Sequence, residues 1–453
     1  MHPAPGFLPL PSSVAPAGLV LALVLLGCGD ERPIPSESHD GTPSITSPTP
    51  DERGRGGEIL AGLGYLGGTE APTTSKIITV IKRDMVSPGL NFFVSGHGPE
   101  ALLIDMDGRV VHRWHYPFEK AWPALPDTMT PERGYRDGYK DHFRRAHLYP
   151  NGAVLAIFDG FGMVKIDKDS NLIWARLNRA HHDLQVMPDG EIYVLTHRVG
   201  VLPWLHESEP VIDEFVALCD GDGNEKWSYS LVECLRRSGF RFQAQRPAGY
   251  LGPLEILHAN TVEVLDGRHA AGEESLSSPT AKSAGRPVWV RSLSTQVFKK
   301  GHILTSMRAL DLIAVIDPDR QVAVWWMTGT FKKQHEPILL GNGHLLLFDN
   351  TGRRDQSAVL EFRPFSGEVI WSYDGTADRP FFSEIGGTAA RLPNGNTLIT
   401  ESVRGRVFEV TSEGEIVWEF VSPLRAGEQG QFVAMVYEMI RIPPDFPLDW
   451  LDD

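Results

Sequence analysis

One unit recurs along this chain and limits what it can become. It is an apolar strand, an Asp-rich or Gly-containing turn, and a second strand that ends in tryptophan. The unit ends at Trp114, Trp174, Trp227, Trp325, Trp371 and Trp418, at intervals of 60, 53, 98, 46 and 47 residues. A repeat near ~50 residues is the period of a propeller blade. A second marker precedes the tryptophan hairpin: an apolar strand, an Asn-Gly or Asp-Gly turn, then another strand. It occurs at Asn151-Gly152, Asp189-Gly190, Asn342-Gly343 and Asn394-Gly395. Such dipeptides suit a two-residue hairpin, in which both central residues take φ > 0. Two hairpins per unit make a four-stranded antiparallel blade. The pattern therefore predicts an all-β chain: a six-bladed β-propeller with a central channel. The segment 436–442 is the candidate closing strand, and the tryptophans are expected in the core between blades. The long interval holds a Ser/Gly/Ala/Glu-rich stretch at 267–286, read as a surface insertion.

The Asp-x-Asp-Gly turns do not match an EF-hand, which needs Glu at position 12. Counting from Asp105 gives Tyr116, and from Asp220 gives Leu231. They read as hairpin turns.

The first 57 residues differ from the rest. Ala17–Leu26 is an apolar run too short to cross a bilayer as a helix, and it suits the core of an export signal. Leu25-Leu26-Gly27-Cys28 looks like a bacterial lipobox, in which Cys28 is acylated and becomes the new N-terminus. Gly29 in second place after cleavage points to the outer membrane. Residues 1–28 thus read as a lipoprotein signal, 29–57 as a Pro/Ser/Thr-rich flexible tether, and 58–453 as the propeller. The expected location is the periplasmic side of the bacterial envelope, held by lipid alone.

Net charge is −15, with no stripe of Lys and Arg. A phosphate backbone is repelled by that balance, so no nucleic-acid partner is expected. Arg144-Arg145 and Arg353-Arg354 read as solvated surface. Cys219 and Cys234 are the cysteines outside the leader; they could pair in an oxidising compartment, and two cysteines alone cannot hold structural zinc.

The 16 histidines carry the functional signal. His147, His181-His182, His258 and His335 lie on strands leading into Asn/Asp-Gly turns. In a propeller, equivalent strands face equivalent places, so these imidazoles converge. The last unit has Ile385-Gly386-Gly387-Thr388 instead of a histidine, and should line its side of the funnel with backbone. Converging imidazoles suit a metal, proton transfer or nucleophilic attack. Arg308, on the unit that carries His258, disfavours a metal cation and favours an anionic substrate. His112 and His115 fit a structural reading, and His197, His206, His269 and His302 carry no special context.

Four segments resemble the bacterial arylsulfotransferase family, the PAPS-independent arylsulfate sulfotransferases. They are His181-His182-Asp183-Leu184, His258-Ala259-Asn260-Thr261-Val262, Thr305-Ser306-Met307-Arg308 and Gln334-His335-Glu336-Pro337. Leu346-Leu347-Phe348-Asp349-Asn350-Thr351-Gly352 and the end of the chain are also similar, so the resemblance spans roughly residues 85–447. It implies a six-bladed propeller with the site in its funnel. His335 would be the nucleophile that is transiently sulfurylated. His258 and Arg308 would stabilise the sulfuryl oxygens, and His181 or His182 would supply the remaining imidazole. The partners implied are a small aromatic sulfate donor and a phenolic acceptor, with no cofactor and no metal. The chain departs from the family pattern in the insertion between His258 and Arg308 and in Glu336, where Asp is commoner. Trp122, Phe331 and Phe381 are candidates to shape the acceptor pocket. The competing reading is a non-catalytic propeller lipoprotein that serves binding or envelope assembly. The complete set of His258, Arg308 and His335 favours the enzyme. A quinone-dependent dehydrogenase would need a calcium-ligating constellation and a ring of adjacent cysteines, and the sequence has neither.

Overall fold

A computed structural model of the chain describes residues 67–70, 75–126, 137–242, 254–269, 278–283, 286–353, 356–427 and 430–452. The segments read as signal (1–28, with Cys28) and as tether (29–57), together with residues 58–66, lie outside the described residues. Among those described, strands form six sheets of four to six strands and one small three-stranded sheet.

The sheets follow chain order and are numbered here by it. Sheet I holds Leu90–Ser95, Glu100–Ile104 and Val110–His115 with Val436–Ile442. Sheet II runs Arg145–Leu148, Val154–Phe158, Gly162–Ile166 and Leu172–Arg176. Sheet III runs Ala180–Val186, Ile192–Val201, Pro210–Cys219 and Glu225–Ser230, with Leu254–Glu255 added in parallel. Sheet IV runs Ala259–Val264, Ile303–Met307, Leu312–Asp317 and Val322–Thr328. Sheet V runs His335–Leu339, Leu345–Arg353, Gln356–Phe362 and Val369–Tyr373. Sheet VI runs Thr388–Arg391, Thr397–Glu401, Arg406–Val410 and Ile416–Val421, with Ile78–Ile81 on its outer edge.

Three sheets therefore exceed four strands. In sheet IV the reason is the 267–286 stretch: Ser278–Ser283 pairs with Arg286–Ser292, which pairs with Val322–Thr328. Residues 270–277 and 284–285 of that stretch lie outside the described residues.

Both turn families have clear local causes. In the tryptophan hairpins, Asp105 Oδ1 accepts from the backbone N–H of Asp107 and Arg109, both at 2.9 Å. Asp167 and Asp220 repeat this with the N–H groups two and four residues on. The carboxylate organises the turn in the manner of an Asx-turn. The Asn/Asp-Gly turns depart from expectation. Only the glycines take positive φ (79° at Gly152, 89° at Gly190, 83° at Gly343), while Asn151, Asp189 and Asn342 do not. Gly152 N–H bonds Tyr149 O at 3.0 Å, so Pro150 and Asn151 are the central pair. Proline cannot take φ > 0, and the turn is type I followed by a left-handed glycine.

Tryptophan joins neighbouring sheets. The Trp114 indole N–H donates to Gly152 O at 2.9 Å, from sheet I to the turn in sheet II. Trp174 reaches Gly221 O at 3.2 Å, Trp371 reaches Ser412 O at 2.7 Å and Trp418 reaches Met106 O at 3.0 Å. Trp418 thus ties sheet VI back to sheet I. Trp325 is wholly buried but its N–H finds no acceptor among the described residues. Trp227 is the exception to the core expectation, at 36% exposure.

The first strands of sheets II to VI and Val436–Ile442 of sheet I touch one another in order, and Leu90–Ser95 touches Arg145–Leu148. Their free edges are satisfied by side chains of the neighbouring sheet. Asp183 accepts from Val262 N–H at 2.7 Å, Gln185 from Val264 N–H at 2.6 Å, and Glu263 from Leu339 N–H at 3.0 Å.

Arg145 corrects the surface reading of Arg144-Arg145. It is 5% exposed. Its Nε lies 2.9 Å from Asp183 Oδ1, and its two terminal nitrogens bind Glu336 and Glu438. One guanidinium joins carboxyls from sheets III, V and I. Burial raises the Glu336 and Asp183 carboxyls above their ordinary range although Arg145 opposes it, so the group shares protons as a unit. Arg353 is exposed and pairs with Asp374 at 2.6 Å. Cys219 and Cys234 are buried free thiols, not a disulfide. They belong to two separate core clusters, one around Leu155 and Ile192, the other around Leu231 and Leu235.

Replacing Arg145 by Met should destabilise the fold by about 3–5 kcal/mol at neutral pH, because the carboxyls lose their counter-charge. Urea unfolding measures this, and a loss below about 1 kcal/mol would contradict the hub. The raised Glu336 carboxyl gives a sign as well. A carboxyl raised in the folded state from 4.5 to about 8 stabilises fully below the lower value and loses that contribution as pH rises through the upper one. Glu336→Gln should flatten stability across that window.

Candidate active site

Three inner strands are distorted at one level. His182, His258 and Glu336 take left-handed φ of 52°, 50° and 47°. Strand register shifts beside each, between His181 and Leu184, Ala259 and Thr261, and His335 and Ile338. Bulges of this kind re-aim side chains next to functional sites.

The bulges bring imidazoles together. The His182 and His258 rings are 4.8 Å apart between centroids. The His258 and His335 charges both act on His182, and the Arg308 charge acts on His335. Arg308 N–H also donates to His258 O at 3.1 Å. His258, His335, Arg308 and His182 therefore share one place. His181 stands behind. Its Nδ1 lies 2.9 Å from His182 Nδ1, and its ring faces His197 at 5.4 Å and Glu214 at 3.9 Å. The choice between the two histidines, open in the sequence, resolves as His182 toward the cluster. His147 is elsewhere, packed against the Tyr149 ring at 4.7 Å.

Each histidine of the cluster is braced. His182 N–H donates to Asp159 Oδ1 at 3.1 Å. His258 Nδ1 is 2.8 Å from Glu255 Oε1. The Gln334 carbonyl, just before His335, accepts from Asn260 Nδ2 at 2.9 Å and from the Ser306 hydroxyl at 3.2 Å. His335 Nδ1 lies 2.7 Å from Asn350 Oδ1.

Electrostatics favour neutral rings. Burial holds His335 well below 6.5, with Arg308 adding to it. Burial does the same for His182, helped by Arg144. His181 falls to about 3 and His197 to about 4, again mainly by burial. Desolvation and a nearby cation both disfavour imidazolium. The result is a set of neutral imidazoles beside two guanidinium groups, suited to an anion that must meet an unprotonated nitrogen. No three His, Cys, Asp or Glu side chains among the described residues could jointly hold a metal ion.

Sequence reasoning missed Arg144, Asn350 and His197. Arg144 acts on His182 and His335 and stacks over Tyr437 at 5.0 Å; its signal was its place before a histidine-bearing inner strand. Asn350 lay inside the family-like Asp349-Asn350-Thr351-Gly352. His197 had no local signal. Trp122, Phe331 and Phe381 are corrected: all three are buried in core clusters and shape no acceptor pocket.

Fold and site together define a mostly-β, propeller-like repeat protein with a cluster of imidazoles and guanidinium groups where its inner strands meet. The chain belongs to the arylsulfotransferase (ASST) family, whose sequence model matches residues 146–423. That stretch contains all four clustered residues. No curated protein matches the sequence. Similar solved structures include a protein of unknown function from Bacteroides caccae, 14% identical, covering 78% of this chain and 98% of that one, with a TM-score of 0.44. The WD40 β-propeller domain of Doa1 is 12% identical over 82% of this chain and 99% of that one, TM-score 0.36. BamB from Moraxella catarrhalis is 10% identical over 82% and 100%, TM-score 0.34. Likeness this remote carries no argument about function.

The depressed imidazoles make a direct prediction. In histidine-labelled protein, the ring signals of His181, His182 and His335 should stay neutral from pH 7.5 to 5.5. Protonation of His335 within that range would contradict the buried, cation-flanked site.

Proposed function

We propose that this chain is a sulfotransferase built as a six-bladed propeller, with sheets I to VI as its blades. It moves a sulfuryl group from a phenolic sulfate ester to a phenolic acceptor, through a sulfo-histidine at His335 and without PAPS. The observation that carries this reading is His335 itself, a buried imidazole kept neutral beside Arg308 and sharing its site with His182 and His258.

The chemistry follows from those groups. The His335 lone pair forms an N–S bond as the S–O bond to the aryl group breaks, and the electron pair leaves with the phenolate. Phenolate is a workable leaving group because phenol ionises near ~10. Arg308 and Arg144 face the charge on the sulfuryl oxygens. A preorganised donor of this kind contributes about 2.7–4 kcal/mol to the transition state. The second phenol passes its proton to His182 or His258, attacks sulfur, and returns the pair to His335. The histidine gives that proton to solvent, and the phenolate released earlier takes one from solvent as its own pKa requires, so the cycle balances. Covalent transfer of this kind runs in ping-pong order. Cys28 is proposed to carry a lipid that tethers the domain to the periplasmic side of the outer membrane, so membrane contact is by anchor only. Metabolic palmitate labelling that persists in Cys28→Ala would overturn that part.

With 4-nitrophenyl sulfate and phenol, the protein should release nitrophenolate with parallel-line kinetics. His335→Ala should abolish release, and Arg308→Ala should reduce it roughly 10²–10³-fold. A folded protein inert toward a panel of aryl sulfates would leave the binding-module reading standing instead.

A further inference from the structure

The side-chain amide of Asn350 is locked in one orientation. Its Nδ2 lies 2.7 Å from Ser383 O and 2.6 Å from Gly386 O. Both partners are carbonyls, which only accept, so this atom must be the NH₂. The usual ambiguity between amide oxygen and nitrogen is thereby removed. The oxygen then faces His335 Nδ1 at 2.7 Å. An amide oxygen only accepts, so Nδ1 must carry the hydrogen. A neutral ring in that tautomer has its lone pair on Nε2, and no described group hydrogen-bonds to Nε2.

The last unit, which has no histidine, supplies the support. Gly386 has φ of 63°, and a Cβ there would come within 2.9 Å of Ser402. The next residue, Gly387, has φ of 103°, and its Cβ would meet the Phe348 ring at 2.7 Å. The glycines let the backbone of this segment approach closely enough for Gly386 O to hold the amide. Ser357 completes the frame, its hydroxyl donating to Asn350 O at 2.9 Å.

We infer that Asn350 is a positioning residue that fixes the His335 tautomer so that Nε2 takes the sulfuryl group, and that Gly386 holds Asn350 in place. This rests on the sulfuryl-transfer reading above. The N–S bond forms from the Nε2 pair as the aryl S–O bond breaks. The ring becomes cationic, and its Nδ1–H becomes a stronger donor to Asn350. A carboxylate in that position would stabilise the cation further, but it would also favour protonation of the resting ring and occupy the lone pair. A neutral amide orients the ring without that effect.

The first test needs no variant. The whole protein is treated with 4-nitrophenyl sulfate without acceptor, quenched in base and digested, and the sulfo-histidine isomer at position 335 is assigned by nitrogen–proton correlation. The Nε2 isomer is expected. The second test is kinetic. Asn350→Ala and Gly386→Ala should lower kcat roughly 10–100-fold with little change in KM, the usual loss when an orienting partner is removed. Asn350→Asp, nearly the same shape, should move the acidic limb of the pH–rate profile upward by about 1 unit or more. An Nδ1 isomer overturns the proposal while leaving sulfuryl transfer intact. So does an unmoved profile in a folded Asn350→Asp protein. Absence of any sulfo-histidine in protein that also lacks transferase activity removes the underlying reading instead.

Discussion

The buried guanidinium of Arg145 is the contact on which the centre of this molecule depends. Four inner strands meet there, Arg145–Leu148, Ala180–Val186, His335–Leu339 and Val436–Ile442, and the inner edges carry backbone groups that no further strand pairs. Side chains must do what a ladder would otherwise do. Asp183 shows the economy of the arrangement. One of its oxygens meets Arg145 and the other takes the Val262 N–H of the next sheet. Glu336 binds the same arginine from sheet V, one residue after His335. The central ion cluster and the candidate nucleophile are thus consecutive residues on one distorted strand. What holds the sheets in register also sets where the imidazole stands.

That placement explains the chemistry of the site better than residue type alone. Imidazole in water is half protonated near ~6.5 and is then a poor nucleophile. Burial removes the solvent that would stabilise the cation, and Arg308 and Arg144 repel the proton further. The same two charges that keep the rings neutral give an anion a reason to enter. Below the rings, His181 and His197 continue the buried imidazoles away from the cluster.

Much of this was legible in the sequence. The tryptophan period pointed to the sheets, and the segment 436–442, named as the candidate closing strand, pairs with Leu90–Ser95. The convergence of His335 with His258 was legible because repeats place equivalent strands together, and Arg308 drew notice by standing on the unit that carries His258. Other features had no local signature. The left-handed residues are His182, His258 and Glu336, not glycines, so nothing in composition announces the bulges. Ile78–Ile81 looks like any short apolar segment, and its partner lies more than 330 residues away. Arg145 reads as surface because a sequence shows the charge but not the three carboxyls gathered around it. The turns were misjudged for a visible reason: Pro150, Pro188 and Pro393 stand where a two-residue Asn/Asp-Gly hairpin needs a backbone N–H to close its ladder, and proline has none.

The pairing of the two ends has a consequence for how the chain reaches its fold. Sheet I is begun by Leu90–Ser95 but lacks its inner strand until Val436–Ile442 arrives. Sheet VI, made late, takes its outer strand from Ile78–Ile81. During synthesis the first sheet must wait, with an open apolar edge, for nearly the last residues to emerge. Contacts this distant in sequence form slowly, and an open edge invites pairing with other chains. The finished first sheet therefore needs both ends of this long stretch of chain, and a chain stopped before Val436 has no inner strand on which to complete it.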